Sequence, residues 1–174
     1  MADSKTSDIE QAVTQVDAAA KKGTISTTGA ENLKAWLTKP AYREYHAPLL
    51  KMVTDGKFAE LDGLFWEVIP FGTGGRRGRM AEFGSATINE RTIAESAQGM
   101  AVYLKQVKGG PGGRAVIAHD TRNRSDEFAR ITATTFAANG LSVFLFDGYR
   151  ATPALSFAVR HLGCDIGVMI SASH

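Results

Sequence analysis

The sequence predicts an α/β protein, a three-layer α/β/α sandwich on a largely parallel or mixed sheet, preceded by a helical N-terminal extension. Three observations predict it. Over 114–170, short apolar runs alternate with helical patterns: strand 114–118, helix 125–139, strand 141–146, helix 152–162, strand 164–170. These runs are near-continuously apolar rather than alternating, as expected of strands covered by helices on both faces. The helix ends are signalled: Ser125 as N-cap with Asp126 and Glu127 in the first turn, Gly140 as a stop, Thr152-Pro153 as a start and Gly163 as a second stop. The expected unit is β-α-β-α-β with right-handed crossovers.

Upstream the pattern is helical. Ile9, Val13, Val16 and Ala20 predict an amphipathic helix over 7–22, stopped by Gly23. Thr28-Gly29-Ala30-Glu31 has the capping-box spacing, and Leu33, Trp36 and Leu37 give the next helix one apolar face before Pro40 ends it. Tyr42, Tyr45, Leu49 and Met52 predict more helix, and Pro48 splits it into two short pieces meeting near His46. The β-forming run 64–69 predicts a strand that ends at Pro70 and enters a glycine-rich loop, 72–78. A helix follows from about Asn89, with Ile93, Ala97, Met100, Leu104 and Val107 on one stripe, until the glycine-proline breaker 108–113. The expected division is a helical extension over 1–63 and an α/β/α domain over 64–174.

Composition narrows the function classes. A chain of 174 residues with 44% hydrophobic residues has the material for a real core. Its one cysteine, Cys164, forms no internal disulfide, which points to a reducing compartment and a cytoplasmic protein. A net charge of +2 is too small an excess to argue for nucleic acid or an anionic membrane. Asp3, Lys5, Asp8 and Glu10 exclude an apolar signal core, and no run approaches the roughly 20 residues of a spanning helix.

In an open parallel sheet, ligands bind outside the carboxyl ends of the strands. That edge carries Asp120-Thr121-Arg122-Asn123-Arg124-Ser125, Asp147-Gly148-Tyr149-Arg150 and Ser171-Ala172-Ser173-His174, a set of hydroxyls, arginines and a histidine suited to a phosphorylated ligand. Asp120 with Arg122 and Arg124 reads first as an ion pair fixing a turn, and Asp147 as a turn aspartate. The loop Phe71-Gly72-Thr73-Gly74-Gly75-Arg76-Arg77-Gly78 offers backbone N–H groups and two guanidiniums to a phosphate; a solvated surface turn has the same composition. It is not a dinucleotide fingerprint, since no apolar helix follows Gly78, nor a Walker loop, since Arg79 and Met80 stand where Lys and Ser/Thr belong. Ser173 beside His174 lacks the glycines of a nucleophile elbow, so a phosphate carried on the serine fits better than serine-hydrolase chemistry. His46, His119, His161 and His174 are too scattered for a metal cluster, and Cys164 reads as core.

Four segments in order resemble the α-D-phosphohexomutase family. Ser171-Ala172-Ser173-His174 after Gly167-Val168-Met169-Ile170 resembles the start of its active-site serine motif, usually Thr-Ala-Ser-His-Asn-Pro. The 71–80 loop is similar to the phosphate-contacting loop of its phosphoglucomutase and phosphopentomutase branch. The run 116–125 resembles its first-domain turn, and Thr152-Pro153-Ala154-Leu155 its later helix start. The resemblance implies a phosphoserine at Ser173 that exchanges its phosphoryl group with a hexose 1- or 6-phosphate through a bisphosphorylated sugar, which also serves as primer. It further implies that Arg77 and Thr73 contact phosphate, that a Ser173 phosphate oxygen ligates Mg²⁺, and that His174 assists proton transfer or touches substrate.

Ser171 stands where the family usually has Thr, and Gly74 where Ala or Ser is common. The Asn-Pro after His174, the aspartate metal loop, the sugar-selecting loop and the C-terminal phosphate-binding domain are absent from the sequence. The expectation is a first domain cut within its active-site motif, inactive alone, whose partners are a phosphosugar and the remaining domains of the same polypeptide. Phosphomannomutase or phosphopentomutase activity, or a non-catalytic phosphate-binding module, are the alternatives.

Overall fold

The computed structural model describes residues 2–171. The chain divides into two compact units, Met1–Asn89 and Glu90–His174.

The first unit is helical: α1 (Ala2–Lys21), α2 (Thr27–Thr38), a 3₁₀ turn (Pro40–Tyr45), α3 (His46–Thr54) and α4 (Phe58–Phe65). Its core gathers Val16, Leu33, Leu37, Leu49, Val53, Leu61 and Phe65, each at most 1% exposed, around Trp36. The Trp36 ring stacks on Tyr42 at 4.4 Å and meets the Phe65 ring edge-on at 5.4 Å, geometries that aromatic quadrupoles favour. Helix α2 ends at Thr38 because Lys39, extended ahead of Pro40, cannot continue it. Pro48 lies in the first turn of α3, where a missing N–H breaks no helical bond.

Two expectations fail in this unit. The N-cap of α2 is Ser26 rather than Thr28: its Oγ accepts from the Gly29 N–H at 3.0 Å while its own N–H and hydroxyl donate to Asp62 at 2.9 and 2.6 Å. The expected strand 64–69 does not form. Leu64 and Phe65 are the last turn of α4, whose buried Leu61 and Phe65 lie four residues apart on one helical face. From Trp66 the chain runs irregularly to Asn89, held by backbone bonds from Ile69 to Ser85 at 2.8 Å and from Ile88 to Arg79 at 2.9 Å. The buried Asn89 side chain donates to the Gly84 carbonyl at 2.8 Å and to Thr87 Oγ1 at 2.9 Å, satisfying polar groups that water cannot reach.

The second unit is the α/β/α sandwich. Helix α5 (Glu90–Lys108) leads into β1 (Arg114–His119), α6 (Ser125–Ala138), β2 (Ser142–Leu145), α7 (Thr152–His161) and β3 (Ile166–Ile170). All pairings are parallel, in the order β2-β1-β3. Alternation along β1 divides the core: Ala115 and Ile117 pack with Phe136, Ala129, Ala97 and Leu104 of α6 and α5, and Val116 and Ala118 with Leu155 and Ala158 of α7. Helices on opposite faces are what two right-handed crossovers produce when the strand order reverses at β1. Helix α5 is rotated from its expected stripe: Ala97 and Leu104 are buried as expected, but Thr92 and Ala101 join them while Val107 is 64% exposed.

At the amino edge of the sheet, Asp165 accepts from the Arg114 N–H at 2.8 Å and from Lys108 Nζ at 2.7 Å. Those bonds, the Lys108 ammonium first, hold its carboxyl below the usual carboxylate range.

Candidate phosphate-transfer site

Because the order β2-β1-β3 reverses at β1, the boundary between β1 and β3 is a topological switch point, where open α/β sheets bind their ligands. Strand β1 ends there at His119, followed by Asp120, and β3 at Ile170, followed by Ser171, with His119 and Ile170 in register.

Asp120 organises this boundary. Its N–H donates to the Ile170 carbonyl at 3.2 Å, its Oδ1 accepts from the Arg122 N–H at 2.9 Å, and its backbone carbonyl accepts from Ser125 Oγ at 2.6 Å. Burial works against the charge on Asp120, but the Arg122 N–H, the Ser171 hydroxyl and the Arg122 guanidinium together hold the carboxyl below its ordinary value.

Ser125, expected to cap α6, instead is the first residue of that helix and laces the turn by donating to the carbonyls of Asp120 and Arg122. Arg124 occupies the cap position with φ of 61°. Its guanidinium binds Glu127 at 2.7 Å and Glu90 at 2.6 Å and lies over the Phe128 ring, so it is committed to structure rather than to an anion. The expected ion pair therefore resolves into two separate sets: Asp120 with Arg122, and Arg124 with two glutamates. Arg122 keeps a side chain 54% exposed, its Nε 3.8 Å from Asp120.

The β2 end closes onto the same edge. The Arg150 N–H donates to the His119 carbonyl at 3.0 Å, and the Tyr149 ring meets the buried His119 ring edge-on. Asp147 pairs with Arg150 at 3.1 Å, as a turn aspartate does.

In the first unit, the loop 71–78 hangs from the two backbone bonds at its base. The Gly75 N–H donates to the Phe71 carbonyl at 3.0 Å, and Gly72 has φ of 61°, which a side chain would strain. Thr73 and Arg77 are exposed, whereas Arg76 is half-buried, so the two guanidiniums do not present alike. Among the described residues Arg77 takes no ion pair. Ser173 and His174 lie outside the described residues.

Sequence reasoning missed the bond between Asp120 and Ile170 and the contact between His119 and Tyr149. The only signal for either was that all four residues fall at carboxyl ends of parallel strands.

The family model for the phosphoglucomutase/phosphomannomutase α/β/α domain I matches residues 69–174. The chain belongs to this family. Curated phosphoglucomutases from Staphylococcus epidermidis (strain RP62A) and Staphylococcus haemolyticus are 46% and 43% identical to it over 106 residues, 61% of this chain and 19% of each relative. A phosphoglucomutase from Staphylococcus aureus is 43% identical over 110 residues, 63% of this chain and again 19% of the relative. The chain thus spans about a fifth of the length of these relatives. No solved structure matches it.

Within this domain I, His119, Asp120, Ile170 and Ser171 lie at one edge of the parallel sheet. Among the described residues no group of three or more His, Cys, Asp or Glu is arranged to hold a metal ion. No helix among the described residues is long and apolar enough to cross a membrane.

Proposed function

We propose that this chain is the serine-bearing domain of a phosphosugar mutase that interconverts hexose 1-phosphate and hexose 6-phosphate, with glucose the preferred sugar. In this reading residues 64–174 form the domain and 1–63 a helical extension. The observation that carries it is the switch point: β3 ends there at Ile170, whose carbonyl accepts from the Asp120 N–H, three positions in sequence before the Ser173 that the motif marks as the phosphoryl carrier.

The chemistry balances as two transfers. A sugar hydroxyl attacks the phosphorus of phosphoserine 173, the bond from Ser173 Oγ to phosphorus breaks, and the hydroxyl proton passes to a base, for which His174 is placed by sequence. The bisphosphorylated sugar then presents its other phosphate: Ser173 Oγ attacks that phosphorus, the bond from the phosphorus to the sugar oxygen breaks, and the oxygen takes back the proton held by the base. Such transfers need positioning and charge stabilisation more than covalent assistance. Arg77 supplies a guanidinium that can take two phosphate oxygens, and Thr73 a hydroxyl in the same loop. Mg²⁺, when bound, would neutralise charge on the transferring group.

The name of the S. epidermidis relative supports glucose, while the family description covers phosphomannomutases as well. A cytoplasmic location belongs to the same proposal. The test is turnover of glucose 1-phosphate and mannose 1-phosphate, with Mg²⁺ and bisphosphate primer, by the longer polypeptide that contains this chain. Glucose 1-phosphate is expected to be preferred and Ser173→Ala to abolish turnover; full activity in that variant would refute the reading. The 174-residue chain alone is expected to turn over neither substrate, since it covers about a fifth of its relatives.

A further inference from the structure

In the mutase reading the phosphate has Arg77 and Thr73, but no residue is assigned to the face of the sugar ring. The second unit offers one. Its connection from β2 to α7 crosses the carboxyl end of β1, where the Arg150 N–H donates to the His119 carbonyl at 3.0 Å. That bond brings Tyr149, one residue earlier, to the strand whose boundary with β3 is the switch point. The segment is held in place: the Tyr149 carbonyl accepts from Arg150 Nη1 at 2.8 Å, and the same guanidinium pairs with Asp147 at 3.1 Å and lies over the Phe146 ring. The buried His119 ring meets the Tyr149 ring at 5.5 Å and 84°. This contact braces the phenol without covering it, since Tyr149 is 62% exposed. Among the described residues of this unit the other exposed phenyl and phenol rings, Tyr103 and Phe157, lie on α5 and α7, and Tyr149 alone stands at a strand end.

We propose that Tyr149 is a substrate-contact residue whose ring stacks on the C–H face of the hexose phosphate. An aromatic face carries partial negative charge and the C–H hydrogens of a pyranose carry partial positive charge, so the two attract, while the hydroxyls around the sugar's rim stay free for other partners. A tyrosine supplies that area with only two side-chain torsions to fix, and His119 already restrains the ring. Apolar, aromatic lining with a few polar groups is what small-molecule sites at switch points share. The identity of the ligand rests on the mutase reading above; the presentation of Tyr149 at the end of β1 does not.

Calorimetric titration of the longer polypeptide with glucose 6-phosphate and with inorganic phosphate separates a ring contact from a general disturbance of the site. Tyr149→Ala is expected to weaken glucose 6-phosphate about tenfold, the scale of one aromatic contact, and inorganic phosphate less than about twofold. Tyr149→Phe, which keeps the ring, is expected to stay within about twofold of wild type for both. In the 174-residue chain both variants are expected to melt within about 2 °C of wild type, as exposed substitutions do. Unchanged binding of glucose 6-phosphate in Tyr149→Ala, or equal weakening of both ligands, overturns the stacking. An equal loss in Tyr149→Phe also overturns it, by assigning the effect to the hydroxyl, and a lower melting temperature does so by making the ring part of the fold. A wild-type polypeptide that binds glucose 6-phosphate no more tightly than inorganic phosphate and turns over no sugar phosphate overturns the mutase reading itself and this proposal with it; one that binds and turns over the sugar phosphate equally well without the ring overturns this proposal alone.

Discussion

The Ile69 N–H donates to the Ser85 carbonyl at 2.8 Å, and this bond closes the irregular excursion that carries the glycine-arginine loop. Next to it Gly84 has φ of +120°, and a Cβ there would lie 2.6 Å from the Leu64 carbonyl oxygen. Gly84→Ala is therefore expected to destabilise the first unit by more than about 1 kcal/mol, from backbone strain and a clash with backbone that cannot yield. Gly74→Ala, where a Cβ meets nothing within 4 Å, should stay within about 0.5 kcal/mol. Urea denaturation followed by circular dichroism checks both.

Phe136 is fully buried between α6 and the sheet, in the cluster with Ala97, Ile117 and Leu141. Phe136→Ala is expected to cost about 3–5 kcal/mol, the transfer of the ring plus the cavity it leaves. The same denaturation experiment reads it, and a loss under about 1 kcal/mol would mean that α6 packs otherwise than described.

Arg77 is exposed and, among the described residues, unpaired by any carboxylate. Arg77→Ala should leave thermal stability nearly unchanged, as expected for a surface substitution. In the longer polypeptide it should reduce turnover of sugar phosphate at least about tenfold, the scale of a lost charge-assisted bond. Steady-state kinetics beside a melting curve distinguishes a phosphate contact from a solvated turn.

Asp165 has a carboxyl held below its ordinary value by Lys108 and the Arg114 N–H. A depressed folded-state value means that the stabilisation is present above the unfolded value, about 3.9, and is lost as pH falls through the folded one. The stability difference between wild type and Asp165→Asn should thus stay constant from about pH 7 to pH 5 and shrink below about pH 4. Denaturation at a series of pH values checks it, and a difference growing toward acid would reverse the sign of the argument.

The sandwich was legible in the sequence because its punctuation is local. Gly140, Pro153 and Gly163 mark ends that the structure respects, and the unbroken apolar runs of β1 and β3 announce a sheet covered on both faces. The segment around Leu64 was not legible, since Leu64-Phe65-Trp66 has the composition of a strand. What makes it the end of a helix is tertiary: Phe65 docks on Trp36, and Asp62 reaches Ser26 thirty-six positions away. The N-caps were misassigned for a related reason. Thr28 and Ser125 both have the side chains a cap requires, but Asp62 recruits Ser26 for α2, and the Asp120 turn takes the Ser125 hydroxyl for itself. The candidate site was legible as a set of residues on one edge, and illegible as a network, because the bond from the Asp120 N–H to the Ile170 carbonyl exists only once β1 and β3 are neighbours.

The central claim is that Ser173 carries the phosphoryl group. Peptide mass spectrometry of the longer polypeptide, after incubation with glucose 1,6-bisphosphate, tests it most directly. One phosphate is expected on the peptide containing 171–174, assigned to Ser173 and absent in Ser173→Ala; phosphate on any other residue, or none in an active enzyme, would refute the phosphoserine.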